Sequence, residues 1–130
     1  MIVLDTHALV WLLTNAELLS EPARRAIEEI ENSGKGMRVA APTLYEIAYG
    51  VKRGRIRIAA PVEEFIADID RRFLVRPLTP AIALAAAQLP AAFPSDPFDR
   101  IIAATAIVEG VPLVTADKNI RSSRAVRTLW

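Results

Sequence analysis

Not one cysteine occurs among the 130 residues. That excludes a disulfide scaffold, a thiolate metal site and a cysteine nucleophile, and it fits a reducing, intracellular compartment. Histidine is nearly as scarce. His7 is the only one, too few for a His-rich metal site. Long apolar runs are missing as well. The most apolar stretches, residues 81–93 and 101–108, fall short of the roughly 20 residues that span a bilayer. The apolar start Met1-Ile2-Val3-Leu4 is cut by Asp5, with no basic region before it and no small-residue cleavage site. No glycine-rich phosphate loop follows any candidate strand. Nor is there an excess of charge: 16 Lys and Arg against 15 Asp and Glu leave +1, which exerts no global pull on nucleic acid. These absences predict a soluble, cytoplasmic protein without a membrane partner.

What is present is a chain of single-domain length, expected to form one unit over residues 1–130 and to bury roughly two-thirds of its unfolded surface. Hydrophobic residues make up 52% of it and the mean hydropathy is +0.27, high for so small a soluble domain. Either the core is Ala-rich and helical, or an apolar face is covered by another chain. Charge is patterned locally. Lys52, Arg53, Arg55 and Arg57 form one basic run, and after Asp117 come Lys118, Arg121, Arg124 and Arg127 with no acid among them. Such runs are solvated faces or surfaces for phosphate.

Ile2-Val3-Leu4 reads as a short strand buried on both faces, the pattern of a parallel sheet. Residues 6–13 follow as a helix. A second helix opens at Ser20 as N-cap with Pro22 in its first turn, and ends at Gly34 and Gly36. Residues 38–41 form a second strand, and a helix runs from Pro42-Thr43 to about Lys52, broken by Gly54. Residues 61–72 are an amphipathic helix and residues 74–78 a third strand. Thr79-Pro80 starts an Ala-rich helix that stops before Pro90. After a loop, residues 97–109 are helical up to Gly110, residues 111–115 are a strand, and residues 125–129 are a candidate last one. Strands separated by helices predict an α/β fold, a three-layer α/β/α sandwich around a central parallel sheet.

In such a sheet ligands bind beyond the carboxyl ends of the strands. Asp5 ends the first strand, Asp117 lies just past Leu113-Val114, Glu46 stands a helical turn beyond the second strand, and Asp96 and Asp99 bracket a helix start. Structural explanations exist for most of them. Asp96 reads as an N-cap before Pro97, Thr43-Leu44-Tyr45-Glu46 matches a capping box, and Asp117 suits the cap of a short helix. Asp5 is the hardest to explain this way, because a carboxylate following a buried strand is costly without a partner. Acids that converge without basic neighbours raise one another's pKa, and a divalent cation relieves them. Oxygen ligands without cysteine point to Mg²⁺ or Mn²⁺ rather than zinc. His7 and Trp11, at helical spacing, read as packing residues.

Asp5-Thr6-His7-Ala8-Leu9-Val10-Trp11-Leu12-Leu13, the helix with Glu46, Asp96-Pro97-Phe98-Asp99-Arg100-Ile101-Ile102-Ala103-Ala104 and Leu113-Val114-Thr115-Ala116-Asp117 together resemble PIN-domain proteins, above all the VapC-type toxins of type II toxin–antitoxin pairs. The resemblance implies an endoribonuclease dependent on Mg²⁺ or Mn²⁺. Its acidic positions fall on Asp5, Glu46, Asp99 and Asp117. Thr115 matches the hydroxyl residue before the last acid, and Asp96 either assists the metal or only caps. A small antitoxin and a toxin homodimer are implied as partners, with RNA as substrate. One departure is that no histidine stands shortly before Asp96, where relatives with this motif often carry one.

The expected chemistry is metal-assisted hydrolysis of RNA phosphodiesters, with Thr6 or Thr115 positioning a water. Lys52, Arg53, Arg55, Arg57, Lys118 and Arg121 are the candidates for holding the RNA backbone. Competing readings are a housekeeping RNA-processing nuclease, a binding module without catalysis, and phosphotransfer through an aspartyl phosphate. The last is disfavoured by His7, where the common phosphatase pattern has a second Asp.

Overall fold

Alternation along the strands sorts their side chains into two cores. The structure, a computed structural model, describes residues 1–130. In β1 (Val3–Leu4), β2 (Arg38–Ala40) and β4 (Leu113–Val114), the members Leu4, Val39 and Val114 enter one cluster, and their neighbours Val3, Ala40 and Leu113 enter another. Successive side chains of a strand point to opposite faces, so a sheet buried on both sides must draw apolar residues at every position. The first cluster is completed by α1 (Thr6–Thr14), α2 (Glu21–Asn32), α3 (Ala41–Lys52) and α4 (Val62–Arg72), through Leu9, Ile27, Ile47 and Ile69. On the other face, α6 (Pro97–Glu109) and α7 (Lys118–Ser123) supply Ile102, Ala103, Ala106 and Ile120. There α5 (Pro80–Ala87) packs on α6 through Ile82, Ala86 and Ala104. The result is the expected α/β/α sandwich.

Two edge strands, β3 (Leu74–Arg76) and β5 (Thr128–Leu129), complete an all-parallel sheet of order β3-β2-β1-β4-β5. Each parallel link needs a crossover, which the helices provide. From β1 the chain steps outward to β2 and β3, then returns to the other side of β1 for β4 and β5. The reversal therefore lies between β1 and β4, where a crevice opens beyond the strand ends.

Several local signals act as anticipated. The hydroxyls of Ser20 and Thr79 accept from the N–H groups of Ala23 and Ile82 at 3.3 and 3.2 Å, and Gly110 ends α6 at φ 69°. Others do not. The capping box over Thr43 and Glu46 does not form, because α3 begins at Ala41 directly from the end of β2. Its N-cap is Ala40, which has no capping side chain, and Pro42 in the first turn needs no N–H partner. Thr43 is thus inside the helix and fully buried. β3 stops at Arg76, ahead of Pro77, which cannot donate to a ladder. As an edge strand it leaves Leu74 half exposed. β4 is likewise shorter than expected, beginning after Pro112, and Trp11 is half-buried rather than part of the core. No helix is long and apolar enough to cross a membrane.

Candidate active site

Asp5 follows β1 directly and is 3% exposed. Its N–H donates to the carbonyl of Val114 at 3.0 Å, continuing the β1–β4 ladder one residue beyond the strand. That register brings Asp5 to Thr115 across the point where strand order reverses. Asp5 Oδ2 accepts the Thr115 hydroxyl at 2.6 Å, and Oδ1 accepts the N–H of Thr6 at 2.8 Å, so the carboxylate also caps α1. Thr115 is fully buried, and its Oγ1 accepts the N–H of Asp117 at 3.1 Å. This corrects the expectation that Thr115 positions a water. Its hydroxyl is spent on Asp5 and on the backbone of Asp117, holding both.

His7 Nε2 lies 3.7 Å from Asp5 Oδ2, a distance suggestive of an ion pair. The same nitrogen accepts the N–H of Ala116 at 3.1 Å. A ring nitrogen that accepts carries no proton, so the shorter contact decides the assignment. His7 ties α1 to the segment between Thr115 and Asp117 and does not neutralise Asp5.

Glu46 reaches the same edge from the second turn of α3. It accepts the hydroxyl of Thr6 at 2.7 Å, and Thr6 and Thr43 hydroxyls lie 3.0 Å apart. With the Thr6 proton committed to Glu46, Thr43 is the donor to Thr6, and a relay of hydroxyls fixes the carboxylate. Asp96 is exposed at the start of α6, where Oδ1 accepts from Phe98 and Asp99 at 2.8 and 3.0 Å. Asp117 caps α7 in the same manner, Oδ1 accepting from Asn119 and Ile120 at 2.8 and 3.0 Å. Each cap uses a single oxygen, so capping leaves the other available to a cation.

These acids lie close enough to perturb one another's charge. Burial, and then the charges of Asp5, Asp96, Glu46 and Asp117, push the Asp99 carboxyl from 3.8 up to about 7. Burial also raises Glu46, with Asp5 and Asp96 adding to it against the opposing hydrogen bond from Thr6. None of Glu46, Asp96, Asp99 or Asp117 has an ion-pair partner. Arg100, beside Asp99 in sequence, faces away. Its guanidinium donates to the carbonyl of Pro94 at 3.0 Å and to those of Ala86, Leu89, Pro90 and Phe93 at 3.3–3.4 Å.

The donor set is therefore all oxygen, crowded with negative charge and short of cations, which suits a hard divalent ion. No three of the acids stand close enough to hold one ion among themselves alone. That is compatible with Mg²⁺, which usually keeps several waters and takes one or two carboxylates directly.

The basic candidates divide. Arg55 and Arg57 line a cleft that also includes Glu46 and Thr6. Lys52 and Arg53 lie outside it, with Arg53 over the Tyr49 ring at 5.8 Å. Lys118 and Arg121 are exposed on α7, just beyond Asp117. None of the six is in an ion pair. Sequence reasoning missed the roles of Thr43 and Arg100. For Thr43 the signal was its place in the first turn of a helix entered directly from a strand. For Arg100 it was the neighbouring proline-broken loop, whose carbonyls lack regular partners.

Acids gathered at the switch point of a short parallel sheet define a known class. The PIN domain model matches residues 2–125, and this chain belongs to the PIN-domain family. Within it the chain is of the VapC type. Ribonuclease VapC22 of Mycobacterium tuberculosis is 37% identical over 99% of this chain and 98% of its own length. Among solved structures, VapBC2 from Rickettsia felis, bound to a DNA fragment from its promoter, superimposes with a TM-score of 0.70 at 18% identity, covering 98% of this chain and 97% of that one. VapBC-1 from nontypeable Haemophilus influenzae gives 0.70 at 17% identity, over 98% and 96% of the two chains. At these identities the two structures speak for the fold.

Proposed function

We propose that this chain is an endoribonuclease that hydrolyses RNA phosphodiesters with Mg²⁺ or Mn²⁺, and that it is the toxin of a type II toxin–antitoxin pair. The observation that carries the reading is the convergence of Asp5, Glu46, Asp99 and Asp117 at the strand reversal without any cation to offset them. The likeness to Ribonuclease VapC22 supports it, as PIN-domain nucleases of the VapC kind are generally dependent on a divalent metal. Asp5, Glu46 and Asp99 would hold the ion, Asp117 would hold it or a second one, and Asp96 would assist through its uncommitted oxygen. When bound, the ion supplies Lewis acidity toward the phosphodiester and a more acidic water. The chain's own contribution is orientation: Thr115 fixes Asp5, and the Thr43–Thr6 relay fixes Glu46. Arg55, Arg57, Lys118 and Arg121 hold RNA phosphates, with Lys52 and Arg53 extending the basic surface.

The chain works in the cytoplasm as one nuclease domain over residues 1–130. The solved neighbours are VapBC complexes, which supports a small antitoxin as its partner. Exposed apolar side chains such as Leu84, 62% exposed on α5, suit such a partner or a second copy in a homodimer. The decisive test is cleavage of RNA by wild type and Asp5→Asn, with and without EDTA. Asp5→Asn should lose at least about a hundredfold in rate while its melting stays cooperative. Wild-type, EDTA-sensitive cleavage by Asp5→Asn would sink the assignment.

A further inference from the structure

Between α1 and the segment after α3 lies a cleft of about 470 Å³, within the range of small-ligand sites. It joins the acid centre, since Thr6 and Glu46, hydrogen-bonded to each other, are in its wall. Two features of the remaining lining, which also includes His7, Thr14 and Leu18, matter here. Val10, Trp11 and Ile56 make it apolar, and Arg55 and Arg57 make it basic.

Two glycines build this arrangement. Gly54, at φ +73°, turns the chain at the end of α3, and the N–H groups of Arg55 and Ile56 both donate to the carbonyl of Gly50, at 2.8 and 3.1 Å. Ile56 then lies flat on the helix. A Cβ at position 50 would come within 2.6 Å of Ile56 Cδ1 and push Ile56 out of this position. With Ile56 anchored, the arginines on either side of it are carried to the cleft. Neither has an acidic partner. In the same cleft, Trp11 packs against the rings of His7 and Trp130, at ring-centroid distances of 5.1 and 5.7 Å.

A ligand that satisfies these walls must be anionic for the arginines and flat and apolar for Trp11 and Ile56, and it must lead to the carboxylates. We infer that the cleft is a nucleotide subsite, taking one unpaired base of the RNA next to the scissile phosphodiester against Trp11 and Ile56, with that nucleotide's outer phosphate on Arg55 and Arg57. Aromatic and apolar walls accept the face of a base, and arginine forks match phosphate oxygens. A base held this way must be unstacked, so the substrate is single-stranded at this position. The inference rests on the ribonuclease reading and adds to it the residues that choose the neighbouring base.

The test separates the two. In EDTA, the whole chain is titrated calorimetrically with the four nucleoside 5′-monophosphates, ribose 5-phosphate and inorganic phosphate. At least one nucleotide should bind tenfold or more tightly than the two base-free probes. Thr14→Phe, at an exposed position lining the cleft, and Arg55→Ala/Arg57→Ala on the surface should each weaken that binding tenfold or more. Both should raise KM for single-stranded RNA by a similar factor, with a smaller change in kcat. Equal binding of nucleotide and phosphate overturns the subsite. So does unchanged nucleotide affinity and KM in both variants, whatever they do to a protein partner. If wild type fails to cleave RNA, the ribonuclease reading falls, and the calorimetry still decides whether the cleft takes a nucleotide.

Discussion

A hydroxyl is the smallest part of this site and one of the most constrained. Thr115 donates to Asp5 and accepts from the backbone of Asp117 while fully buried, so removing its oxygen strands polar groups on both sides. Thr115→Val should cut RNA cleavage by about 10- to 100-fold, the cost typical of losing a group that orients a ligand, and Thr115→Ser should restore most of it. Equal activity in Val and Ser variants would remove Thr115 from the machinery. Asp99 behaves differently. Its carboxyl stands at about 7 in the folded chain against 3.8 ordinarily, because of burial and then four neighbouring acids. A raised value means the folded state holds this proton more tightly than the unfolded one. The stabilisation is fully present below the unfolded value and is lost as pH rises through about 7. Melting in EDTA should therefore occur at lower temperature at pH 8 than at pH 5, and Mg²⁺ should recover the difference. Asp99→Asn should flatten that decline while eliminating cleavage. An apparent gain of about 1 kcal/mol at pH 8 is reasonable once screening at this half-buried site is allowed for.

Among the elements, α6 poses the sharpest question, because Asp96 has a structural duty already. It caps two N–H groups, and loss of such a cap costs about 1 kcal/mol. Asp96→Ala should be destabilised by that amount, and Asp96→Ser should recover stability. If Asp96 also serves the cation, Asp96→Ser will show weaker Mn²⁺ binding by calorimetry despite its restored fold, and unchanged binding would leave it as a cap alone. Elements were legible in the sequence where a local rule governs them. Ser20, Thr79, Gly110 and the continuous apolar strands act locally, and each started, ended or buried its segment as read. Where a rule competes with a tertiary constraint, the reading slipped. Thr43 and Glu46 fit a capping box by spacing, yet the strand-to-helix junction at Ala40 moved the helix start and buried Thr43. The acids themselves were legible, being charges at strand ends and helix starts. Their hydrogen-bonded supports were not, since Thr115 meets Asp5 only through the pairing of β1 with β4, and Thr43 meets Thr6 only where α3 packs beside α1.

At the scale of the whole molecule, a net charge of +1 conceals a division. Acids crowd the crevice, and unpaired basic residues lie at its cleft and on α7. RNA binding should therefore weaken steeply with salt despite the near-neutral total. Removing Arg55 or Arg121 should each lower the slope of log K against log salt by about 1, measured by fluorescence anisotropy on an uncleaved Asp5→Asn complex. A slope indifferent to both would place the RNA elsewhere. The sheet order has a consequence in time. The bond between Asp5 and Thr115 joins residues 110 positions apart, and β1 has its central place only once β4 lies beside it. On the ribosome, β1 emerges early and waits without this partner until the segment bearing Thr115 and Asp117 has been synthesised. A growing chain thus carries its acids unassembled until translation has passed that point.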